Sequence, residues 1–364
     1  MEKKTVLVAM SGGVDSSVAA ALLVEQGHTV IGVTMKTFCY QEAEAELAGP
    51  TRSCCGLDGI MDARQVADRL GIAHYVFDVE REFTRDVIDD FVAEYAAGRT
   101  PNPCVRCNGN TKFRDLLRRG RMLGCDAIAT GHYARMGTDA RGNPVLLRGV
   151  DANKDQSYFL WALPPELLPQ LIFPLGGLTK PRVREIARER GLVTAEKPES
   201  MEICFVPDGD YPRFLGKRLG AKHAALSAGA LVTTAGEVVG EHEGYARYTV
   251  GQRRGLGGGR ALPLFVLGSR PATREVVVGT WEELHRAEVT IGEPSWLATP
   301  PSPGDAVQVQ IRHRAPAVAA RVASVGEDAV RLAFEAPQRA VSPGQSAVIF
   351  SGEVVLGGGR IRAD

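Results

Sequence analysis

The chain has no net charge. Its 43 lysines and arginines are matched by 43 aspartates and glutamates, so whole-chain charge gives no pointer to a nucleic-acid partner. No apolar run approaches the roughly 18 residues of a membrane span, and neither an internal repeat nor a low-complexity tract is present. The apolar stretch Val6 to Met10 is too short for a signal peptide, and it runs into a glycine-rich loop instead of a cleavage site. A cytoplasmic chain with no membrane attachment is expected. The seven cysteines are Cys39, Cys54, Cys55, Cys104, Cys107, Cys125 and Cys204. An odd count without a leader argues against a secreted disulfide framework and for thiol chemistry or metal binding. What is present suits a globular chain of more than one domain: 364 residues, 44% hydrophobic and 24% charged.

Strands and helices alternate over the first two hundred residues. Thr5 to Met10, Thr29 to Met35, His74 to Val79 and Ala127 to Thr130 read as strands. Helices are expected over Ser16 to Gln26, Asp58 to Leu70, Phe83 to Ala97, Thr111 to Leu123 and Thr179 to Arg190, four of them stopped by Gly27, Gly71, Gly98 and Gly191. That order predicts an α/β, doubly wound parallel sheet over residues 1–209, with ligands at the carboxyl ends of its strands. Residues 210–286 mix a short helix with glycine-rich strands, a small mixed domain. Residues 287–364 read as strands only: Val307, Val309 and Ile311 alternate with Gln308, Gln310 and Arg312, and Ala329 to Glu335 and Ala347 to Leu356 look similar. A C-terminal antiparallel β-barrel is expected there.

Ser11-Gly12-Gly13-Val14-Asp15-Ser16-Ser17 lies between the first strand and the first helix. Glycines let backbone N–H groups approach phosphate oxygens, and a helix N-terminus favours an anion. The Gly-Lys-Ser/Thr ending of the kinase-type loop is missing. The S-G-G-x-D-S pattern resembles instead the loop of the ATP pyrophosphatases, which split ATP between its α and β phosphates. The resemblance implies that Ala9, Met10, Ser11, Gly12, Gly13, Val14, Asp15 and Ser16 hold ATP, with magnesium. It also implies that Met35 touches adenine and that Gly131, in Thr130-Gly131-His132-Tyr133, touches the nucleotide.

Thr100-Pro101-Asn102-Pro103-Cys104-Val105-Arg106-Cys107-Asn108 puts a cysteine just ahead of a basic helix, where a helix N-terminus and nearby arginine lower a thiol's pKa. Between Arg99 and Arg121 seven basic residues face Asp115 alone, a candidate phosphate-facing patch. Ser200-Met201-Glu202-Ile203-Cys204-Phe205 places another cysteine far along the chain.

Together with Lys154-Asp155-Gln156-Ser157-Tyr158-Phe159-Leu160, Tyr248 to Leu256, the Gln345 segment and Leu356 to Gly359, these motifs resemble the bacterial tRNA-specific 2-thiouridylases over nearly the whole chain. The resemblance implies an ATP-dependent sulfurtransferase that adenylates the 2-oxygen of the wobble uridine in a tRNA anticodon loop and replaces it by sulfur. It implies a nucleophile role for Cys107 and a persulfide on Cys204, the two able to join as a disulfide, with sulfur arriving from a donor or persulfide carrier protein. Asn102, Pro103 and Cys104 would border the target base. His132, Lys154, Asp155, Gln156, Arg312, His313 and Gln345 would contact tRNA. One departure matters: many members carry aspartate where this chain has Cys104. Three thiolates, Cys104, Cys107 and Cys204, could hold an iron-sulfur cluster of four irons with one open position, so persulfide relay and cluster both stay open. A pyrophosphatase-loop synthetase acting on a small metabolite would leave the two cysteines without a role. A non-enzymatic tRNA-binding or sulfur-carrier module would leave Asp15 and Ser16 without one.

Overall fold

The computed structural model describes residues 2–37, 57–199, 203–257 and 262–363. Cys39, Cys54 and Cys55, and Ser200, Met201 and Glu202 of the second cysteine motif, lie outside the described residues. The chain divides into two compact units. The first comprises Met1–Val87, Cys104–Gly209 and Glu353–Val355, and the second Ile88–Pro103, Asp210–Gly352 and Leu356–Asp364. Among the described residues no helix is long and apolar enough to cross a membrane.

The first unit is built on strands β1 (Thr5–Ala9), β2 (Thr29–Lys36), β3 (Ala73–Asp78), β4 (Ala127–Thr130), a hairpin of β5 (Ala134–Thr138) and β6 (Pro144–Arg148), and β7 (Leu171–Ile172). Five of these form one parallel sheet in the order β3-β2-β1-β4-β7. Val6, Leu7 and Val8 of β1 have no exposed surface, as an apolar central strand covered on both faces requires. Helices α1 (Val14–Glu25), α2 (Leu57–Leu70), α3 (Glu80–Phe83), α4 (Asp89–Ala96), α5 (Pro103–Arg106), α6 (Phe113–Met122) and α7 (Lys180–Glu189) follow along the chain, α4 counting with the second unit. The alanine-rich α1 buries Val18, Ala19, Ala20, Ala21 and Leu23 against Val6, Val8, Ala127 and Ala129, and α7 adds Val183 and Ile186. Each Val or Leu so buried contributes about 2 kcal/mol.

Because β1 has β2 on one side and β4 on the other, the loops leaving β1 and β4 diverge at the edge between them. That is the topological switch point where such sheets bind ligands. The order therefore bears out the expected α/β class and brings Ser11 to Ser17 beside Gly131.

Two helical expectations change. The helix expected from Thr111 begins at Pro103, and a π-helical turn, Cys107–Lys112, joins α5 to α6. Cys107 therefore stands a turn inside the helical run, and Cys104, not Cys107, occupies its first turn. Likewise the helix expected from Phe83 starts at Glu80 and passes through a π turn, Thr84–Ile88.

In the second unit, α8 (Tyr211–Leu219) is capped by Asp210, whose carboxylate accepts from Arg213 N at 3.0 Å. Tyr211 stacks on Tyr95 of α4 at 4.8 Å. Strands β8 (Gly229–Val232), β9 (Val238–His242), β10 (Phe265–Arg270) and β11 (Glu275–Gly279) make a mixed sheet. The barrel contains β12 (His285–Trp296), β13 (Ala306–Gln310), β14 (Val318–Val325), β15 (Ala329–Arg339), β16 (Ser346–Ser351) and β17 (Val354–Ile361). These run β12-β15-β14-β13-β16-β17, and β12 closes on β17 through Ile291↔Ile361 and Trp296↔Gly357. The single strand expected over Ala347 to Leu356 is thus two. Gly352, at φ 57°, turns the chain between them.

Candidate active site

The loop after β1 is held by its own hydroxyls. Ser16 Oγ accepts from Ser11 N at 3.1 Å, and Ser16 Oγ and Ser17 Oγ both donate to the Gly13 carbonyl, at 3.1 and 2.8 Å. Gly13 stands at the N-cap of α1, so the first N–H groups of the helix have no intrahelical acceptor. Gly12 has φ 71°, and a Cβ there would lie 2.1 Å from the Gly59 carbonyl oxygen of α2. Ala9 is in register with Val33 on one side and Thr130 on the other. The Met10 carbonyl accepts from Thr34 Oγ1 at 2.6 Å, and Thr34 in turn meets His74 Nε2 at 2.9 Å. Met35, near the end of β2, is buried and pairs with Phe77.

Gly131 leaves β4 directly against the first turn of α1. A Cβ on it would stand 2.8 Å from the Asp15 carbonyl carbon and from Ser16 N, so any side chain would push the turn aside. Val14 itself is buried in the core behind this turn. The Asp15 carboxylate meets Lys180 Nζ at 2.7 Å through both oxygens and accepts from Tyr133 Oη at 2.8 Å. Lys180, only 9% exposed, also pairs with Glu199 at 3.1 Å, and Lys154 pairs with Glu199 at 2.7 Å. These contacts, Lys154 first, hold the Glu199 carboxyl below its usual range, while burial followed by the Asp15 charge pushes the Tyr133 phenol far up. Beside this network a cavity of about 500 Å³ is lined by Lys154, Lys180, Arg184 and Arg188 against Asp151.

His132 follows Gly131 with its Nδ1 2.7 Å from Thr130 Oγ1, and its ring packs near Phe113 and Phe173. Burial, reinforced by the Lys112 ammonium, holds it well below the ordinary imidazole value and so neutral. Of the trio at 154 to 156, Asp155 turns inward: it accepts from Gly149 N, Ser157 N and Ser157 Oγ, all at 3.0 Å. Gln156 accepts from Tyr133 N at 3.0 Å. Both shape the turn, and Lys154 is the member that carries positive charge at the surface.

Cys104 is exposed, whereas Cys107 and Cys204 are half-buried. Cys107 opens the π turn, which Thr111 ties to Asp86 at 3.5 Å and which packs on α3. The residue after Cys204, Phe205, sets its ring edge-on to Phe83 of α3 at 5.8 Å. One short helix thus supports both cysteine segments. Among the described residues no three His, Cys, Asp or Glu side chains gather as a metal site would need. As the described residues stand, the three cysteines do not gather as ligands of a cluster.

In the second unit, Gln345 Nε2 donates to the carbonyls of Thr100 and Pro101, at 2.9 and 3.2 Å, next to Asn102 and Pro103. Arg312 donates to the Ala340 carbonyl. Gln310, expected on a polar outer face, is buried and donates to the carbonyls of Arg312 and His313, at 3.1 and 2.8 Å. Its amide holds the turn that presents those two residues. The basic run also divides: Arg99 pairs with buried Glu94 in this unit, while in the first unit Arg118 pairs with Asp115 and Arg119 donates to the Asp78 carbonyl.

Residues 4–208 match a family model described as the tRNA methyl transferase HUP domain, 213–280 one described as the tRNA methyl transferase PRC-barrel domain, and 286–361 one described as the aminomethyltransferase beta-barrel domain. A relative from Geobacter metallireducens, named tRNA-specific 2-thiouridylase MnmA, is 49% identical over 361 residues, 99% of this chain and 97% of its own. One of the same name from Carboxydothermus hydrogenoformans is 48% identical over 363 residues, 99% and 98% of the two chains. The chain belongs to the tRNA-specific 2-thiouridylase family.

For a thiouridylase-family chain, the structure adds residues that sequence reasoning passed over: Lys180, Lys197, Glu199, Tyr133 and Asp62. Lys180 and Asp15 are 165 positions apart, and a lysine opening an amphipathic helix reads as solvent-facing. Thr179 stands at the N-cap of that helix, and its side chain makes no capping bond.

Proposed function

We propose that this chain is a tRNA 2-thiouridylase: it binds ATP at the β1 loop, transfers AMP to the 2-oxygen of a wobble uridine, and replaces that oxygen with sulfur. What carries the reading is the switch point, where a glycine abuts the first turn of α1 and leaves the helix N-terminus and loop N–H groups to an anion. Full-length likeness to 2-thiouridylases supports it.

The uracil 2-oxygen is a poor leaving group. Its attack on the α phosphate makes an adenylate and releases pyrophosphate, with the Gly12 to Ser16 N–H groups taking up charge. Magnesium carried on the triphosphate would neutralise phosphate oxygens. It needs few protein ligands, and Asp15, the loop's one carboxylate, would have to give up part of its contact with Lys180 to be one of them. The outer sulfur of a Cys204 persulfide then bonds to C2 and AMP departs. The Cys107 thiolate attacks Cys204 Sγ, breaking the sulfur–sulfur bond and leaving a Cys107–Cys204 disulfide, which a thiol reductant must reopen. A persulfide carrier protein reloads Cys204. The persulfide route is preferred to a cluster because the described residues gather no metal-ligand group.

Residues 1–209 would form the catalytic domain, with 210–286 and 287–364 as tRNA-holding domains, working in the cytoplasm. His132 and Lys154 are assigned as tRNA contacts on the first unit, and Asn102, Pro103, Arg312, His313 and Gln345 on the second. Cys104 is assigned to border the flipped-out base. In the test, Cys107→Ser and Cys204→Ser each abolish thiolation, read as retarded tRNA migration in a mercury gel and as the mass gain of sulfur for oxygen. ATP binding is unchanged. Thiolated tRNA from either variant overturns the cysteine roles.

A further inference from the structure

Residues 195–199 form a strap laid on the nucleotide loop. Arg184 donates to the carbonyls of Ala195 and Lys197, at 2.8 and 3.3 Å. Arg188 pairs with Glu196 at 2.6 Å, and Glu199 is held by Lys180 and Lys154. Within this strap Lys197 reaches Asp62 of α2 at 2.5 Å and donates to the Gly12 carbonyl at 2.9 Å. A lysine bonded to the backbone of a phosphate loop is unexpected, since a phosphate would be its stronger partner.

The geometry of the peptide unit explains the contact. A trans peptide carries its C=O and N–H on opposite edges, so holding the Gly12 oxygen turns the Gly13 N–H away from Lys197. The 12–13 peptide is flanked by two glycines, whose backbones resist rotation least. Flipped, it would present a carbonyl oxygen where an anion needs a donor. A Cβ on Gly12 would collide with the Gly59 backbone, so only glycine fits there.

We infer that Lys197 is a positioning residue for nucleotide binding: oriented by Asp62, its ammonium holds the Gly12 carbonyl and fixes the peptide orientation that offers the Gly13 N–H to a phosphate. This rests on the reading of Ser11 to Ser17 as the ATP loop.

The test is calorimetric titration of the full chain with magnesium–ATP, without tRNA, beside steady-state thiolation. Lys197→Met weakens ATP binding by about tenfold, the scale of one charge-assisted hydrogen bond. It raises the KM for ATP and leaves kcat within about twofold, because a fault in positioning is overcome at saturation. Lys197→Arg keeps a cationic donor and recovers most of the affinity. Asp62→Asn, which keeps the lysine but loses its orienting charge, weakens binding by about threefold and serves should the methionine variant fail to fold. Unchanged affinity in Lys197→Met or Asp62→Asn overturns the inference and leaves the nucleotide reading standing, as does loss in Lys197→Arg equal to that in Lys197→Met. A wild-type chain that binds no ATP overturns the nucleotide reading itself.

Discussion

Replacing Lys180 by methionine keeps the length of the side chain and removes its charge, leaving Asp15 and Glu199 without the cation they share. Removing one partner of a fully buried ion pair costs about 3–5 kcal/mol. Here Asp15 and Glu199 keep 33% and 32% of their side-chain exposure, so water takes up part of the charge and about 1.5 kcal/mol is expected at neutral pH. For a unit of this size that lowers the midpoint of its calorimetric transition by about 3–6 °C. The pH dependence separates this cause from lost packing. Glu199 is held below its ordinary value by Lys154 and then Lys180. A carboxyl depressed on folding contributes stability above its unfolded pKa, and that contribution is lost as pH falls through the folded one. The variant has given up the Lys180 share already, so it loses less on acidification. The gap between wild type and Lys180→Met should therefore narrow from about pH 7 to about pH 4. A destabilisation equal at both ends, or none at either, refutes the reasoning.

Gly131→Ala should cost about 1–3 kcal/mol by overpacking. It should also weaken ATP binding, because the new methyl meets the backbone of Asp15 and Ser16; unaltered calorimetric affinity would contradict the close approach. In the second unit, Glu94 is 5% exposed and paired with Arg99 and with Arg360 at 2.9 Å. Glu94→Gln should loosen α4 by about 2 kcal/mol, read as roughly 30-fold faster hydrogen exchange of its amides.

Local signals were legible where local physics decides. The helix stops at Gly27 and Gly71 take positive φ, 81° and 67°, and β4 spans the expected Ala127 to Thr130. The helix expected from Thr111 starts at Pro103 in the structure and runs through Asn108-Gly109-Asn110. Gly109 is there for a reason of packing: a Cβ on it would stand 2.7 Å from the Ala162 carbonyl oxygen, so the π turn can lie against that segment only with glycine. Gln310 fitted an alternating strand, but period alone cannot tell an amide facing water from one that holds a neighbouring turn.

The order of strands and helices, the glycine-serine turn and the spacing of the cysteines follow from sequence alone, because each depends on residues within a few positions of one another. Which charges meet was decided only on folding. Asp15 with Lys180, Asp62 with Lys197 and Glu199 with Lys154 are pairs across long stretches of chain, made when the fold brings distant segments to one edge of the sheet. No local preference encodes such a pair. Its strength comes from the burial and partial dehydration that the tertiary structure imposes on both partners together.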